Sequence, residues 1–380
     1  MHNLRRRTSG AVARWIGSGA VITAAAVTLA ACGGGNAATG TSSNSSSGTT
    51  KTKGTVQVAL ILKDFTNPYF ISMENSAKAD AAKLGVKLTI SAGSTDGDTT
   101  TQITAIDNAI AAGDAGIIIT PNGNAVNPAL DQAKSHKLLV IALDTVPTPP
   151  STADLTYATN NFTAGQLIGQ YGAKRLNGKA ADIAMLDLSN TQVISVDTSR
   201  DHGFLAGMGI PVGNQNLNGG EPKSGSYKGQ LGGSGTYKIA CQLPTQGAVP
   251  GGQTAMEQCL SKDPNINVVY AINEPAAEGA GTALKAAHKT GVLVLAIDGG
   301  CADIPYLQSG EMTATSGQFP GKMAALGVTA INALAKTGKK PAATPGLGFY
   351  DTGTQLYTNN PVAGVKSITT TQEANVCWKA

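Results

Sequence analysis

Several features that would announce a chemistry are missing from this chain. No Cys-x-x-Cys occurs and the four histidines are scattered, so the ligand spacing of a metal site is absent. Neither Gly-x-x-x-x-Gly-Lys-Ser/Thr nor Gly-x-Gly-x-x-Gly accompanies Gly299-Gly300, which is therefore not a phosphate loop. A lasting basic surplus is lacking too. The formal charge of +4 comes from Arg5, Arg6, Arg7 and Arg14, and residues 1–31 carry no acid, so the rest of the chain is neutral. A neutral chain has no electrostatic footprint for nucleic acid or for an anionic membrane surface. The apolar run from Ala20 to Ala31 falls short of the roughly 20 apolar residues that span a bilayer.

What stands at the N-terminus is an arginine-rich segment, a short apolar stretch and small residues before Cys32. That order marks an export signal. Leu29-Ala30-Ala31-Cys32 resembles the lipobox of bacterial lipoproteins, which makes residues 1–31 a signal peptide and the Cys32 thiol the attachment point of a lipid. Residues 32–54 are read as the lipidated Cys and a tether: residues 33–54 are mainly Gly, Ser, Thr, Asn and Lys with almost nothing apolar, the composition of a flexible segment. The expected place is the outer face of the cell membrane. A DNA-binding helix-turn-helix has no room here, because the signal occupies its position.

From Thr55 onward about 325 residues remain, more than one core usually supports, so two lobes are expected. Val56 to Leu62 is a β-branched run of strand length, and Ile71 to Leu84 has helical spacing. Strands at Val86 to Ser91, Ala115 to Thr120 and Leu138 to Leu143 then alternate with helices at Thr100 to Ala112 and Asn124 to Ser135. After Pro147 to Pro150 a second series follows the same grammar. Helices are expected at Ala164 to Leu176, Ser199 to Met208, Thr254 to Leu260, Ala276 to His288 and Gly321 to Thr337. Strands are expected at Asp182 to Leu188, Tyr237 to Ala240, Val268 to Ile272 and Val292 to Ile297. Near-continuous apolar strands between amphipathic helices predict parallel βαβ units, hence an α/β fold of doubly wound lobes. The Gly-, Asn- and Ser-rich segment Gly209 to Thr236 reads as an inserted surface loop.

Beyond Cys32 there are four cysteines in an exported chain, which admits two disulfides. Cys241 and Cys259 lie close along one strand-loop-helix unit, so the favoured pairing joins them and leaves Cys301 with Cys377; buried free thiols are the alternative.

Open parallel sheets bind ligands beyond the carboxyl ends of their strands. Those positions hold Lys63 to Phe70, Thr120-Pro121-Asn122, Asp144-Thr145, Asn190-Thr191-Gln192, Asn273-Glu274-Pro275 and Asp298-Gly299-Gly300. Most are neutral and polar or singly acidic, with three aromatic rings in the first loop, Tyr69 and Phe70 among them. Amides and carboxylates meet vicinal hydroxyls, and aromatic faces cover a ring's C–H face, so the set suits a sugar or polyol.

Several motifs in order carry a family resemblance: Asn67-Pro68-Tyr69-Phe70, Thr120-Pro121, Asp144, Thr159-Asn160-Asn161, Arg200 with Gly203-Phe204, Asn273-Glu274, Asp298-Gly299 and Gln318. From Thr55 to Trp378 the chain resembles the ribose-type substrate-binding proteins of bacterial ABC sugar transporters. Gln253 to Leu260 and Ile272 to Ala277 look nearest to an actinobacterial fructose-transport-like branch. The resemblance implies two lobes (55–159 with 319–349, and 160–318 with 350–380) joined by three hinge crossings near Thr159, Gln318 and Tyr350, with the ligand in the cleft between them. Asn67, Tyr69, Phe70 and Asp144 would face it from lobe one, and Arg200, Asn273 and Asp298 from lobe two, with Gln318 as a wall near the hinge. Lys63 would reach the ligand or pair with Asp64. No cofactor is implied. The implied partners are one small neutral sugar or polyol and the permease subunits of an importer, the chain acting as a monomer; a sensory module reporting to a membrane receptor or kinase would use the same cleft. Relatives place an aromatic ring in the loop that here reads Gln246 to Gly252 and carries none, so one stacking wall is expected to be absent. That argues against a simple hexose or pentose and would admit a longer polyol, a larger glycoside or a differently shaped ring.

Simpler roles stand beside these. Asn67-Pro68 also makes a turn, Asp144 and Asp298 also suit helix caps, and Arg200 also suits a surface pair with Asp201. His202 reads as packing or surface, and Trp378 as a tail clamp against lobe two. An enzyme acting on carbohydrate would need paired carboxylates as acid and base, which Asp144 and Asp298 could mimic across the lobes.

Overall fold

Strand β1 (Gln57–Leu62) is apolar on both faces and buried from Val58 onward, so helices must cover it on both sides. In this computed structural model, which describes residues 54–379, they do. The expected signal peptide, Cys32 and the tether up to Lys53 lie outside the described residues. The first lobe continues through α1 (Pro68–Leu84), β2 (Lys87–Ala92), α2 (Thr99–Ala112), β3 (Gly116–Ile119), α3 (Asn127–Ser135), β4 (Leu139–Leu143) and β5 (Leu155–Ala158). Asn67 starts α1 by accepting the Tyr69 N–H at 2.9 Å, with Pro68 in the first turn, and Gly85 ends it in the left-handed conformation.

The second lobe runs α4 (Asn161–Leu176), β6 (Ala181–Asp187), α5 (Ser195–Met208), β7 (Ser224–Lys228), β8 (Ser234–Pro244), α6 (Val249–Lys262), β9 (Val268–Ala271), α7 (Glu274–Ala286), β10 (Leu293–Asp298), α8 (Ile304–Ser309) and β11 (Ala314–Gly317). Then α9 (Pro320–Thr337) returns to pack in the first lobe, where Met323, Val328 and Ile331 join the core of β1 and α1. The chain ends with β12 (Tyr350–Asp351), β13 (Gln355–Tyr357), β14 (Ser367–Ile368) and α10 (Thr370–Glu373).

The two sheets share one design. The six-stranded sheet has the order β12-β5-β4-β3-β1-β2, and the eight-stranded sheet β14-β13-β11-β10-β9-β6-β8-β7. Within each, five consecutive parallel strands are wound 2-1-3-4-5, which puts a switch point beside the first strand of the lobe. Each sheet is covered by an apolar cluster on either face. Among the described residues no helix is long and apolar enough to cross a membrane.

Three crossings join the lobes, after β5, after β11 and after β12, and they brace one another. Thr352 N donates to Ala158 O at 2.8 Å, Asn160 N to Asp351 Oδ1 at 3.2 Å, and the Thr354 hydroxyl to Gly317 O at 2.8 Å.

Two expectations are corrected. The segment Gly209 to Thr236 is not simply a surface loop: it contains β7, paired antiparallel with β8, and Tyr227 is buried with its hydroxyl donating to Lys179 O at 2.8 Å. The tyrosine supplies the burial that the surrounding Gly and Ser residues lack. The last crossing falls after Asp351, because Tyr350–Asp351 pairs with β5 in the first sheet and not in the second. Both expected disulfides are present, Cys241 with Cys259 and Cys301 with Cys377.

Candidate functional site

Helices α4 and α5 approach so closely that no side chain fits between their backbones. A Cβ on Gly165 would stand 2.1 Å from the Arg200 carbonyl oxygen, and one on Gly203 would stand 2.2 Å from that of Phe162. This contact brings Arg200 of α5 beside Asn161, the first residue of α4. The Asn161 side-chain oxygen accepts Arg200 Nε at 2.8 Å, while Nη1 donates to Ile272 O at 2.8 Å and to Asp298 Oδ1 at 3.3 Å. Among the described residues Nη2 has no hydrogen-bond partner. It points across the lobes, 4.0 Å from Asp144 Oδ1. The surface pairing with Asp201 is thereby excluded, since Arg200 is buried at the cleft.

Arg200, Asn273, Asp298, Leu188, Val196 and Ile272 from lobe two close one cavity with Lys63, Asn67, Tyr69, Phe70, Asp96 and Asp144 from lobe one. Its volume is ≈ 30 Å³, room for about two waters. The lobes have therefore come together, and any larger ligand requires them to part. A cavity of ≈ 660 Å³ lies elsewhere, but lobe two alone lines it. A further cavity of ≈ 380 Å³ is lined from both lobes and shares Asp96 and Leu188 with the small one. The buried charged groups that meet beyond the strand ends, not volume, locate the site.

The polar groups are partly committed. Tyr69 donates its hydroxyl to Asp144 Oδ1 at 3.0 Å, and the Thr145 hydroxyl donates to Asp144 Oδ2 at 3.0 Å. Asp298 Oδ1 accepts from Gln318 Nε2 at 2.6 Å as well as from Arg200, and among the described residues Oδ2 has no donor. The side-chain carbonyls of Asn67 and Asn273 cap α1 and α7, and Asn273 also donates to Gly247 O at 3.0 Å. The turn at Asn67-Pro68 and its place in the site are thus one arrangement. Asp144 and Asp298, by contrast, which the simpler reading made helix caps, cap no helix among the described residues: the helical turns that follow them start from Pro149 and Gly300. Asp144 at φ 62° and Asp298 at φ 141° both sit in backbone conformations that disfavour a side chain. Such strain persists where surrounding contacts over-determine it.

Two cations, Arg200 and Lys63, face three carboxylates, Asp96, Asp144 and Asp298, and burial offsets the acidic surplus by raising Asp96 and Asp298 toward their neutral forms. Burial pushes the Asp298 carboxyl up to about 7 against the pull of Arg200, and the neighbouring Asp144 adds to the rise. Burial also raises Tyr69 well above its ordinary value, with Asp144 reinforcing it. Burial works against the Arg200 charge, but Asp298 and Asp144 outweigh it and hold its pKa above the usual value.

Seven of the eight expected ligand-facing residues line this cavity. Gln318 does not: it is buried behind the site, donating to Asp298 and facing the Tyr69 hydroxyl at 3.4 Å. Lys63 pairs with Asp96 at 3.5 Å, not with Asp64, whose carboxylate accepts the N–H groups of Thr66 and Asn67. Trp378 meets lobe two as expected and also touches Tyr69 of lobe one. Asp96 was missed, and Asn161 was noted only within the Thr159-Asn160-Asn161 motif at the first crossing. Asp96 follows β2, so the strand-end rule would have found it; nothing in the sequence marks Asn161 as the arginine's acceptor. Among the described residues no three His, Cys, Asp or Glu side chains group to hold a metal.

Two α/β lobes that bury one shared polar site beyond their strand ends, with hinge strands alongside, define a two-lobed binding protein. The matched family agrees: residues 58–340 fit the periplasmic binding protein domain, and the chain belongs to that family. It is 25% identical over 289 residues to the ribose import binding protein RbsB of Salmonella typhimurium, covering 76% of this chain and 88% of that protein. Its fold resembles a galactofuranose binding protein (TM-score 0.69, 23% identity, 84% of this chain and 97% of the other). It also resembles the Caulobacter myo-inositol binding protein (TM-score 0.66, 20% identity, 80% and 93%).

Proposed function

We propose that this chain captures one neutral sugar or polyol by closing its lobes and delivers it to the permease subunits of an ABC importer. The observation that carries this reading is the balance of the site. Arg200 stands between two aspartates and Lys63 opposite Asp96, while among the described residues Arg200 Nη2 and Asp298 Oδ2 have no hydrogen-bond partner. A ligand with full charge would upset that balance, whereas vicinal hydroxyls both donate and accept. The ribose, galactofuranose and myo-inositol named for its relatives support the same class.

The mechanism follows from the hinge. The open form admits ligand to one lobe, and closure adds the hydrogen bonds of the other while expelling water. Binding energy then shifts the population toward the closed form, whose joined lobe surfaces are what a permease would recognise. In this reading Cys32 carries the lipid that holds the protein on the extracytoplasmic face, residues 33–54 give it slack to dock, and it works as a monomer. The sub-branch would be the fructose-transport-like one.

Isothermal titration against D-ribose, D-allose, D-galactose, D-fructose and myo-inositol tests the proposal. Saturable heat is expected with at least one probe, lost in Asp298→Ala and Arg200→Ala. Undiminished binding in both variants would overturn the site.

A further inference from the structure

The C-terminal tail is fastened to lobe two. Cys377 is disulfide-bonded to Cys301, Cys301 N donates to Trp378 O at 2.9 Å, and Gly300 forms a parallel bridge with Trp378. Gly300 gives the indole its bed, since a Cβ there would lie 2.8 Å from the ring. The indole Nε1 donates to the Asp298 carbonyl at 3.0 Å. That carbonyl also accepts Gln318 N at 2.7 Å, so two donors hold the strained φ of 141° at Asp298.

The other side of the same ring belongs to lobe one. Its centroid is 5.5 Å from that of Tyr69 at an interplanar angle of 89°, an edge-to-face contact, and it packs against the first-lobe core. Tyr69 in turn directs its hydroxyl at Asp144. Opening the cleft moves Tyr69 away from Asp298, and a ring pinned to lobe two cannot follow both.

We infer that Trp378 is a closure latch: a positioning residue that holds Asp298 and Tyr69 in register only when the lobes are shut, with the Cys301–Cys377 bond keeping it in place. The inference rests on the reading of ligand capture by closure. It assigns the tail a part in affinity, not merely in stability.

Trp15 and Trp378 are the two tryptophans of the chain. Once Trp15 is removed with the signal peptide or replaced in Trp15→Phe, Trp378 is the sole tryptophan, excited apart from the tyrosines at the red edge of the absorption band. Acrylamide quenching is measured without ligand and with each sugar of the panel above. Any sugar that gives binding heat is expected to lower the quenching constant about twofold. Trp378→Ala should weaken that sugar about tenfold, chiefly through faster release, given the usual strength of an aromatic edge contact and a hydrogen bond. Trp378→Phe should recover part of the loss by restoring the edge contact. Removing the disulfide with Cys301→Ser and Cys377→Ser should raise ligand-free quenching while the circular dichroism spectrum is kept. Quenching unchanged by a sugar that binds, or affinity in Trp378→Ala within twofold of the parent, would overturn the latch. Should no panel sugar bind, the ligand class fails and the latch is still judged: equal ligand-free quenching with and without the disulfide would refute it, and higher quenching without it would support it.

Discussion

Replacing Arg200 with lysine keeps the charge and removes the fork, and the structure says what that costs. Arg200 serves three buried acceptors: Asn161 Oδ1 at 2.8 Å, Ile272 O at 2.8 Å and Asp298 Oδ1 at 3.3 Å. A lysine ammonium is a point donor on a different stem and cannot meet all three while reaching the cleft. If it keeps Asp298, two acceptors are left without a donor, at about 1.5 kcal/mol each, so stability should fall by about 3 kcal/mol. A chain with the usual margin of about 5–15 kcal/mol still folds. Losing the Nη2 donors removes charge-assisted bonds to the ligand worth about 3 kcal/mol, a drop of roughly a hundredfold in affinity. Urea unfolding followed by circular dichroism gives the first quantity, and titration calorimetry with a sugar that binds the parent chain gives the second. A lysine variant whose Kd stays within threefold of the parent would refute the reasoning, because it would mean that the fork does not face the ligand.

Gly165→Ala should disrupt the α4–α5 contact, since its Cβ would sit 2.1 Å from the Arg200 carbonyl. A Tm drop of several degrees is expected together with weaker binding, and a parent-like Tm would contradict the close approach. Stability should also decline as pH rises. Burial, reinforced by the negative charges of Glu221 and Asp197, pushes Asp201 from 3.8 up to about 8, and burial takes Asp197 to about 6 against donors from Leu188 and Ser189. Between pH 4 and 8 the folded state therefore holds protons that the unfolded state has released, a contribution fully present below pH 4 and lost as pH climbs through the folded values, with a slope of about 1.4 kcal/mol per pH unit for each proton. Tm measured from pH 5 to pH 9 should fall, and Asp201→Asn should flatten the curve; an unchanged profile would count against the buried cluster. Removing Cys241–Cys259, which closes a loop of sequence separation 18, should cost about 3 kcal/mol in urea unfolding, and a loss below 1 kcal/mol would count against a constrained loop.

Much of the fold was legible because its strands are buried on both faces and read as apolar runs, as in Val58-Ala59-Leu60-Ile61-Leu62. Strands that depend on their neighbours were not. The four residues of β5 follow a proline-rich stretch, β11 reads Ala-Thr-Ser-Gly, and β12, β13 and β14 have two or three residues each, too few to show a period. Strand β7 hid among glycines and serines. The site was legible for a topological reason: in a parallel sheet the loop after each strand faces the cleft, so Asp144 after β4 and Asp298 at the end of β10 could be named in advance. What stayed hidden was who braces whom. Gln318 behind Asp298, Asn161 on Arg200 and Trp378 between the lobes are three-dimensional partnerships between residues 20 or more positions apart.

The central claim is that the cleft closes on a neutral polyhydroxylated molecule. Its most direct test is mass spectrometry of the small molecule released on denaturing the purified protein, compared with Asp298→Ala purified in the same way. The account predicts one neutral compound of monosaccharide or polyol composition, stoichiometric with the parent chain and depleted from the variant. A charged or apolar ligand, or equal recovery from both proteins, would contradict it.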